Sequence, residues 1–536
     1  MSGPAFPTVS SWAEKAYADS GLWNGDLLDR QLARQAGETP ERLAVVDGAN
    51  RLTYAELDGR VRSIAAGLLA LGVGRGDVVT MQLPNWWEAM AVHFAVVSIG
   101  AVCNPVVPIL RDRELGFVVD RGRAKILIAA AEYRGHDHGA LALRVAAAAP
   151  GVEHVVTVRG RRDGASTLDD LLATAPAEPV TAGRGADDPV VLLYTSGTEA
   201  DPKGAVHSHN TLGYENRTIA ELFTLTSDDV VWAPSPVGHV TGVLFAFHLA
   251  PMLGATVVLQ DVWDATTALG LVQAERCSFT VAATPFLHGI THHPSLAEFD
   301  VSSLRVFVCG GADVPPALIR DAEERVGVRA VRLYGSTEIP TVTSTSDREP
   351  LHRRAGTDGR AIARAEIRAV DDDGHPTPVG EVGRLLARGP EAMLGYLGVD
   401  PQPFDAEGWF DTGDLGRLDA EGYLQVAGRS KDIIVRGGEN ISAKEVEDLL
   451  VEHPAIADVA VVAVPDPRLS ERACAVVVLK PGASLDLAGL TAYLDLRSLA
   501  RQKYPERLEI VDELPKTPTG KVQKFALRAL VTERLT

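Results

Sequence analysis

Apolar and polar positions alternate in two textures along the chain, and the change between them divides it. In the first texture short apolar runs alternate with helical stretches. Thr53-Tyr54-Ala55-Glu56 has capping-box spacing, a hydroxyl followed three residues later by a carboxylate, and predicts a helix from Tyr54 to about Ala70 that stops at Gly72. Val78 to Leu83 reads as a strand. A second helix is expected from Asn85 through Trp86, Trp87, Met90, Phe94 and Val97 to Gly100, and Ala101 to Val107 returns to strand. Further strands are predicted over Lys125–Ala129, Val155–Val158, Val190–Tyr194, Thr256–Leu259, Phe279–Ala283, Val306–Cys309 and Val328–Leu333. Apolar runs with no polar alternate suit strands buried on both faces, and helices between them imply a parallel α/β sheet covered on both sides. The paired tryptophans read as core or interface packing.

From about Thr357 to Val426 the second texture begins, with short strands broken by Asp/Gly/Pro turns such as Asp371 to Pro376, and it predicts a small antiparallel unit. Beyond Gly428 a helix over Glu445–Val451, strands over Val459–Val464 and Ala473–Leu479, and a helical Leu485–Leu499 form a compact α+β domain of common size. The expected division is therefore an N-terminal domain over 1–428 and a C-terminal domain over 429–536. The most apolar region, Ala89 to Leu110, is interrupted by His93, Ser98, Asn104, Pro105 and Pro108, which excludes a membrane-spanning helix there.

Composition narrows the class. A chain of 536 residues is too long for one core. Its 71 acidic against 52 basic residues give a formal net charge of -19, which argues against non-specific nucleic-acid binding and against an anionic membrane surface. Cys103, Cys277, Cys309 and Cys474 are far apart and suggest neither a zinc site nor a disulfide framework, so a reducing cytoplasm is expected. Trp12, Glu14, Lys15, Asp19 and Asp26 leave no apolar core for a secretory leader, and the final Glu-Arg-Leu-Thr is no peroxisomal address.

The candidate chemistry starts at Val190, in VVLLYTSGTEADPKG. An apolar strand runs into Thr195, Ser196, Gly197 and Thr198, and Lys203-Gly204 closes the segment. Small residues admit close approach of a ligand, hydroxyls and N–H groups suit phosphate oxygens, and the lysine supplies a compact positive charge. A polar surface turn has the same composition. A Walker loop is excluded, because here the lysine precedes its glycine and no hydroxyl follows. Four further segments follow in order: Leu333-Tyr-Gly-Ser-Thr-Glu338, Trp409-Phe-Asp-Thr-Gly-Asp414, Gly428-Arg-Ser-Lys-Asp-Ile-Ile-Val-Arg-Gly-Gly-Glu-Asn440, and Pro515-Lys-Thr-Pro-Thr-Gly-Lys-Val-Gln-Lys524. Each alone would pass for a strand-end turn or a surface charge.

As an ordered set, these segments resemble the adenylate-forming superfamily of acyl-CoA and aryl-CoA synthetases, peptide-synthetase adenylation domains and luciferases, over about Leu27 to Lys524. The usual phosphate loop has Thr-Gly where this chain has Glu199-Ala200. The resemblance implies a large α/β N-terminal domain with a small antiparallel β unit, a small mobile α+β C-terminal domain, and ATP, Mg²⁺ and coenzyme A as cofactors or substrates. It assigns Thr195, Ser196, Gly197, Thr198, Lys203 and Gly204 to the phosphates. Gly311, Ala312, Tyr334, Gly335, Ser336, Thr337 and Glu338 would contact the adenylate, with Tyr334 stacking on adenine, Thr337 on the α-phosphate, and Glu338 with Thr195 at Mg²⁺. Asp414 would hold the ribose and Arg429 the nucleotide. Lys521 takes the catalytic position, while Lys516 and Lys524 are expected to be solvated. Lys431 is the hinge, and Gly437, Gly438 and Glu439 with His239 would line a thiol tunnel.

The implied chemistry has two halves. A carboxylate attacks the α-phosphate of ATP to give an acyl-adenylate and pyrophosphate, and two approaching anions need the positive charge of Lys203, Mg²⁺ and Lys521. A thiol then attacks the acyl carbon after rotation about Lys431. His239 sits at the family's bulky gate, and Val240, Phe245, Gly310, Gly311, Ile339, Pro340 and Thr341 would make a mainly apolar acyl pocket. No charged residue is evident to anchor an amino group, which argues against an amino acid as substrate. The wording of Asn85-Trp-Trp-Glu88 and Arg436-Gly-Gly-Glu-Asn440 resembles medium-chain, alicyclic and aryl acid CoA ligases. The alternatives are an adenylating enzyme that loads an acyl carrier protein or passes the adenylate onward, a luciferase-like oxidase, and a non-catalytic adenylate-binding module.

Overall fold

The computed structural model describes residues 5–176, 183–195, 202–311, 314–436, 439–466, 469–497, 499–517 and 521–534. Ser196, Gly197, Thr198, Ala312, Gly437 and Gly438, all expected at the site, lie outside the described residues. So do the side chains of Lys431 and Glu439. The described residues form two compact units. One takes the chain up to Thr195 with Pro202–Glu366 and Arg388–Trp409; the other takes Ile367–Ala387 and the chain from Phe410.

Two large sheets build the first unit. In one, Val78–Gln82 lies parallel between Val102–Pro105 and Ala124–Ala130, and His154–Val158 and Ser166–Thr167 extend the parallel ladder. Pro189–Tyr194 joins Val102–Pro105 in parallel, after which Gly204–Ser208 and Gly395–Tyr396 run antiparallel. This antiparallel return adds to the expected parallel sheet a strand that the sequence pattern did not predict. The segment from Thr195 to Lys203 is too short for a crossover, so it closes a hairpin. The other sheet carries Leu43–Asp47, Thr256–Leu259, Val230–Ala233, Phe279–Ala282, Val306–Gly310 and Arg329–Tyr334 in parallel, with short antiparallel strands at both edges.

The helix Tyr54–Ala70 forms with both halves of its capping box in place. The next helix spans Trp87–Ser98 and begins two residues later than the pattern predicted, because Trp86 is its N-cap and Asn85 turns to another task. Ala89 to Val97 are buried without interruption, so this helix has no solvent face. One core cluster joins it to Val79, Met81 and Ile128 of the first sheet and to Val45, Val231 and Val308 of the second.

The second unit holds two antiparallel arrangements. Gly383–Arg388, Phe410–Leu418 and Leu424–Arg429 pair antiparallel beside Glu366–Val370. In the other sheet Ser470–Leu479 runs antiparallel to Ile456–Asp466 and parallel to Arg507–Ile510. Its alternate residues enter different cores. Val459, Val461, Ala473, Ala475 and Val477 pack with the helices Ala443–Leu450 and Leu487–Leu496, whereas Ala460, Val462, Cys474 and Val476 pack with Leu527 and Val531 of the helix Lys524–Glu533. Both faces are covered, which explains why these strands read as unbroken apolar runs. All four cysteines are buried. Among the described residues, no helix is long and apolar enough to cross a membrane.

Candidate active site

The hairpin formed by Pro189–Tyr194 and Gly204–Ser208 fixes both ends of the expected phosphate loop. Thr195 N–H donates to the Lys203 carbonyl at 2.9 Å, continuing the ladder past Tyr194 and Gly204. Lys203 is exposed, with its ammonium 5.0 Å from the centre of the Tyr396 ring. The phenol of that ring is buried, and its O–H donates to Glu338 Oε1 at 2.6 Å. Tyr396 therefore bridges the lysine of one motif and the carboxylate of the next, and the sequence reading passed over it. Its signal was faint: it occupies a two-residue strand, Gly395–Tyr396, paired antiparallel with Gly204–Ser208.

The turn that carries Glu338 leaves the strand Arg329–Tyr334 and is held from within. Ser336 N–H donates to the Ile339 carbonyl at 2.8 Å, and Val342 N–H donates to that of Tyr334 at 2.9 Å. A Cβ at Gly335 would lie 1.9 Å from the Pro340 carbonyl oxygen, so only glycine permits the fold-back. Met393 N–H donates to the Glu338 carbonyl at 2.8 Å. The Thr337 carbonyl accepts from His207 Nε2 at 2.8 Å. Burial holds the His207 imidazole at about 4, so it is neutral at pH 7; with a carbonyl at Nε2, the proton is on Nε2 and Nδ1 accepts from Thr211. His207 is a second residue that the sequence reading missed.

The residues expected at an acyl pocket lie in the same unit. Phe245 and Ile339 are buried, Val240 packs against the main core, and Gly310 is kept small by the Leu333 carbonyl, 2.7 Å from where a Cβ would stand. Gly311 adopts a φ of +78°. His239 is the N-cap of the helical stretch that begins at Val240, and its Nε2 is enclosed with no partner among the described residues. Burial lowers its pKa to about 4, which leaves a neutral ring. Glu215, wholly buried, is hydrogen-bonded to the Thr341 hydroxyl. Burial raises its pKa well above the usual range, with Glu391 nearby adding to the effect.

The second unit carries the remaining motifs. Asp414 and Arg429 are register partners on adjacent strands, and Arg429 Nε lies 3.0 Å from Asp414 Oδ1. Gly413, at a φ of +71°, and the Thr412 hydroxyl, which accepts from Asp414 N–H at 3.1 Å, shape the turn before the aspartate. Lys431 lies in the 3₁₀ turn Ser430–Asp432. Lys521 N–H donates to Thr517 Oγ1 at 3.1 Å, and Thr517 N–H donates to the Lys521 carbonyl at 2.7 Å. Lys516 is exposed, as expected, whereas the expectation that Lys524 is solvated is corrected. Lys516 pairs with Asp458 at 2.5 Å and Lys524 with Glu447 at 2.7 Å, the latter pair mostly shielded.

Residues 32–397 match the AMP-binding enzyme family and residues 445–521 its C-terminal domain. The chain is 37% identical to a medium-chain fatty-acid–CoA ligase of Escherichia coli (strain K12), over 99% of this chain and 94% of that one. It is 34% identical to the 2-hydroxy-7-methoxy-5-methyl-1-naphthoate–CoA ligase of Streptomyces carzinostaticus, over 96% and 94%. Among solved structures, the anthranilate CoA ligase AuaEII in complex with anthranoyl-AMP superposes with a TM-score of 0.87 at 26% identity, covering 95% of this chain and 98% of that one. With both parts matched in order and the coverage nearly complete, the chain belongs to the AMP-binding enzyme family.

Proposed function

We propose that this protein is an ATP-dependent carboxylic acid–CoA ligase that activates a mainly apolar acid as acyl-AMP, releases pyrophosphate, and transfers the acyl group to coenzyme A. The observation that carries the reading is the junction at Tyr396, where the lysine of the phosphate loop and the carboxylate after Tyr334 meet one side chain inside the family-matched region. A phosphate-binding cation and a hard anionic ligand gathered at one side chain are what a metal-bound triphosphate requires.

The donor set fits Mg²⁺: Glu338 would hold it with the Thr195 hydroxyl, and the ion would draw charge from the phosphates when bound. Lys203 and Gly204 receive the outer phosphates with Ser196, Gly197 and Thr198. Tyr334, Gly335, Ser336, Thr337, Gly311 and Ala312 receive the adenylate, Asp414 the ribose, and Arg429 the nucleotide as it leaves its ion pair. Lys521 positions the acid carboxylate against the α-phosphate, lowering the repulsion of two anions as they meet. The working division lies at 428/429, and rotation about Lys431 exchanges Lys521 for Gly437, Gly438 and Glu439 before the thiol attacks.

The relatives' acids, a medium-chain fatty acid and a substituted naphthoate, and the anthranoyl group of the neighbouring structure suit a pocket walled by His239, Val240, Phe245, Gly310, Ile339 and Pro340. A role in fatty or aryl acid metabolism follows from that class. Four buried cysteines far apart in the sequence support a reducing, cytoplasmic setting. The test is pyrophosphate release over a panel of aliphatic, alicyclic and aromatic acids, followed by acyl-CoA formation with coenzyme A and no other protein. Pyrophosphate release without acyl-CoA would replace this reading with transfer to a carrier protein.

A further inference from the structure

We infer that the helix Trp87–Ser98 is a positioning element for His239, fastened to the gate segment by Asn85 before it and His93 within it, and that these residues set the selectivity for acyl width. The inference deepens the ligase reading and rests on it.

The first attachment is a single side-chain amide. Asn85 Nδ2 donates to the Ala233 carbonyl at 3.1 Å and to the Ser235 carbonyl at 2.8 Å, and its Oδ1 accepts from Val237 N–H at 3.0 Å. Asn85 is almost wholly buried, and it partners the Ser235 carbonyl and Val237 N–H in place of water, while the Ala233 carbonyl also accepts from Gln260 N–H at 3.3 Å. A carboxylate has no proton for the two carbonyls, and a hydroxyl has only one. The loop is confined from other directions as well. Ser235 Oγ donates to the Val281 carbonyl at 3.2 Å. A Cβ at Gly238 would lie 2.5 Å from the Val107 nitrogen, and one at Gly242 2.2 Å from the Pro236 carbonyl oxygen.

The second attachment is farther along the same helix. His93 Nε2 and His248 Nε2 lie 2.7 Å apart in the core, and His248 ends the π-helical stretch Val243–His248 that follows the gate. Such stretches carry an extra residue in the turn and recur at functional sites. Residues 233–248 are thus tied near both ends to one helix that has no solvent face. His239 lies between the ties. Its ring Nε2 has no hydrogen bond among the described residues, so the backbone and the packing around the ring place it. A wall residue held in this way stays where the chain puts it, and the width it leaves follows from Asn85 and the histidine pair.

The test measures kcat/KM for a narrow and a wide acid, with the KM for ATP, in wild type, Asn85→Asp and His248→Leu. Asn85→Ser, a milder change, is added in case the first variant does not fold. Circular dichroism confirms the fold of each. The expected result is a shift of at least about tenfold in the ratio of the two acids, with the ATP KM within about twofold, since the groups expected at the nucleotide stay intact. Equal loss for both acids, or an unchanged ratio in folded variants, overturns the inference. A wild-type protein that releases no pyrophosphate with any acid overturns the ligase reading instead, so the two failures are distinguishable.

Discussion

Ser430 and Asp432 flank Lys431 and are fastened to different parts of the second unit. Ser430 Oγ donates to the Gly413 carbonyl at 3.0 Å, in the antiparallel strand that carries Asp414. The Asp432 carboxylate pairs with Arg528 at 2.6 Å, on the helix that follows Lys521. The residue between them is therefore where a rotation separating Asp414 from Lys521 would concentrate, which supports the proposed hinge.

Lys431→Pro tests that rotation. Proline fixes φ near −65° and restricts Ser430 before it. Adenylation is expected to persist within about tenfold, while thioester formation falls by about a hundredfold or more, the scale of a blocked closure. Lys431→Ala keeps the backbone free and should slow the second step only mildly. Stopped-flow measurement of each half-reaction decides, and identical behaviour of the two variants rules out the hinge.

Lys521→Ala should abolish adenylation and spare thioester formation from supplied acyl-adenylate. A charge that acts only in the first transition state is worth about 3 kcal/mol, or over a hundredfold. Equal loss of both half-reactions would refute the division of labour.

Tyr396→Phe keeps the ring beside Lys203 and removes the O–H on Glu338. A hydrogen bond to a charged group is worth roughly 1.5–3 kcal/mol, so pyrophosphate release should fall about ten- to a hundredfold. The Mg²⁺ concentration for half-maximal rate should rise with it. A loss of rate at unchanged Mg²⁺ dependence would separate Tyr396 from the metal.

His239→Phe is expected to retain substantial activity and His239→Ala to broaden the range of acids accepted, because the neutral ring acts as a wall. A general base would lose roughly 10²–10⁴-fold in either variant. Rates of both variants with two acids of different width distinguish these roles.

Stability should depend on pH in two opposed ways. The buried His207 and His239 are held at about 4, and His209 and His248 at about 3, against about 6.5 when unfolded. Between these values the unfolded chain binds more protons, so stability rises as pH climbs to about 6.5. Glu391 has the opposite sign. It is buried with neither carboxyl oxygen partnered among the described residues, and burial raises it from 4.5 to about 8, so over that interval the folded state holds the extra proton and stability falls as pH rises. Denaturant midpoints should therefore rise from pH 4 to about 6.5, and the advantage of Glu391→Gln over wild type should grow from pH 5 to pH 8. A constant gap would show that Glu391 does not hold its proton.

The sequence by itself determined what depends on neighbours along the chain. Capping at Thr53, the buried strands, the fold-back at Gly335 and the order of the motifs from Thr195 to Lys521 are local, since propensity, periodicity and turn chemistry act over a few residues. Tertiary structure decided the rest. Tyr396 meets Glu338 across 58 positions, and Asn85 reaches Ala233, Ser235 and Val237 across about 150. Glu215 finds Thr341 across 126, and His93 finds His248 across 155. A polar residue in an apolar stretch shows only that it needs a partner when buried. Which partner it has depends on which strands lie side by side, and that order is set by long-range packing that no local pattern encodes.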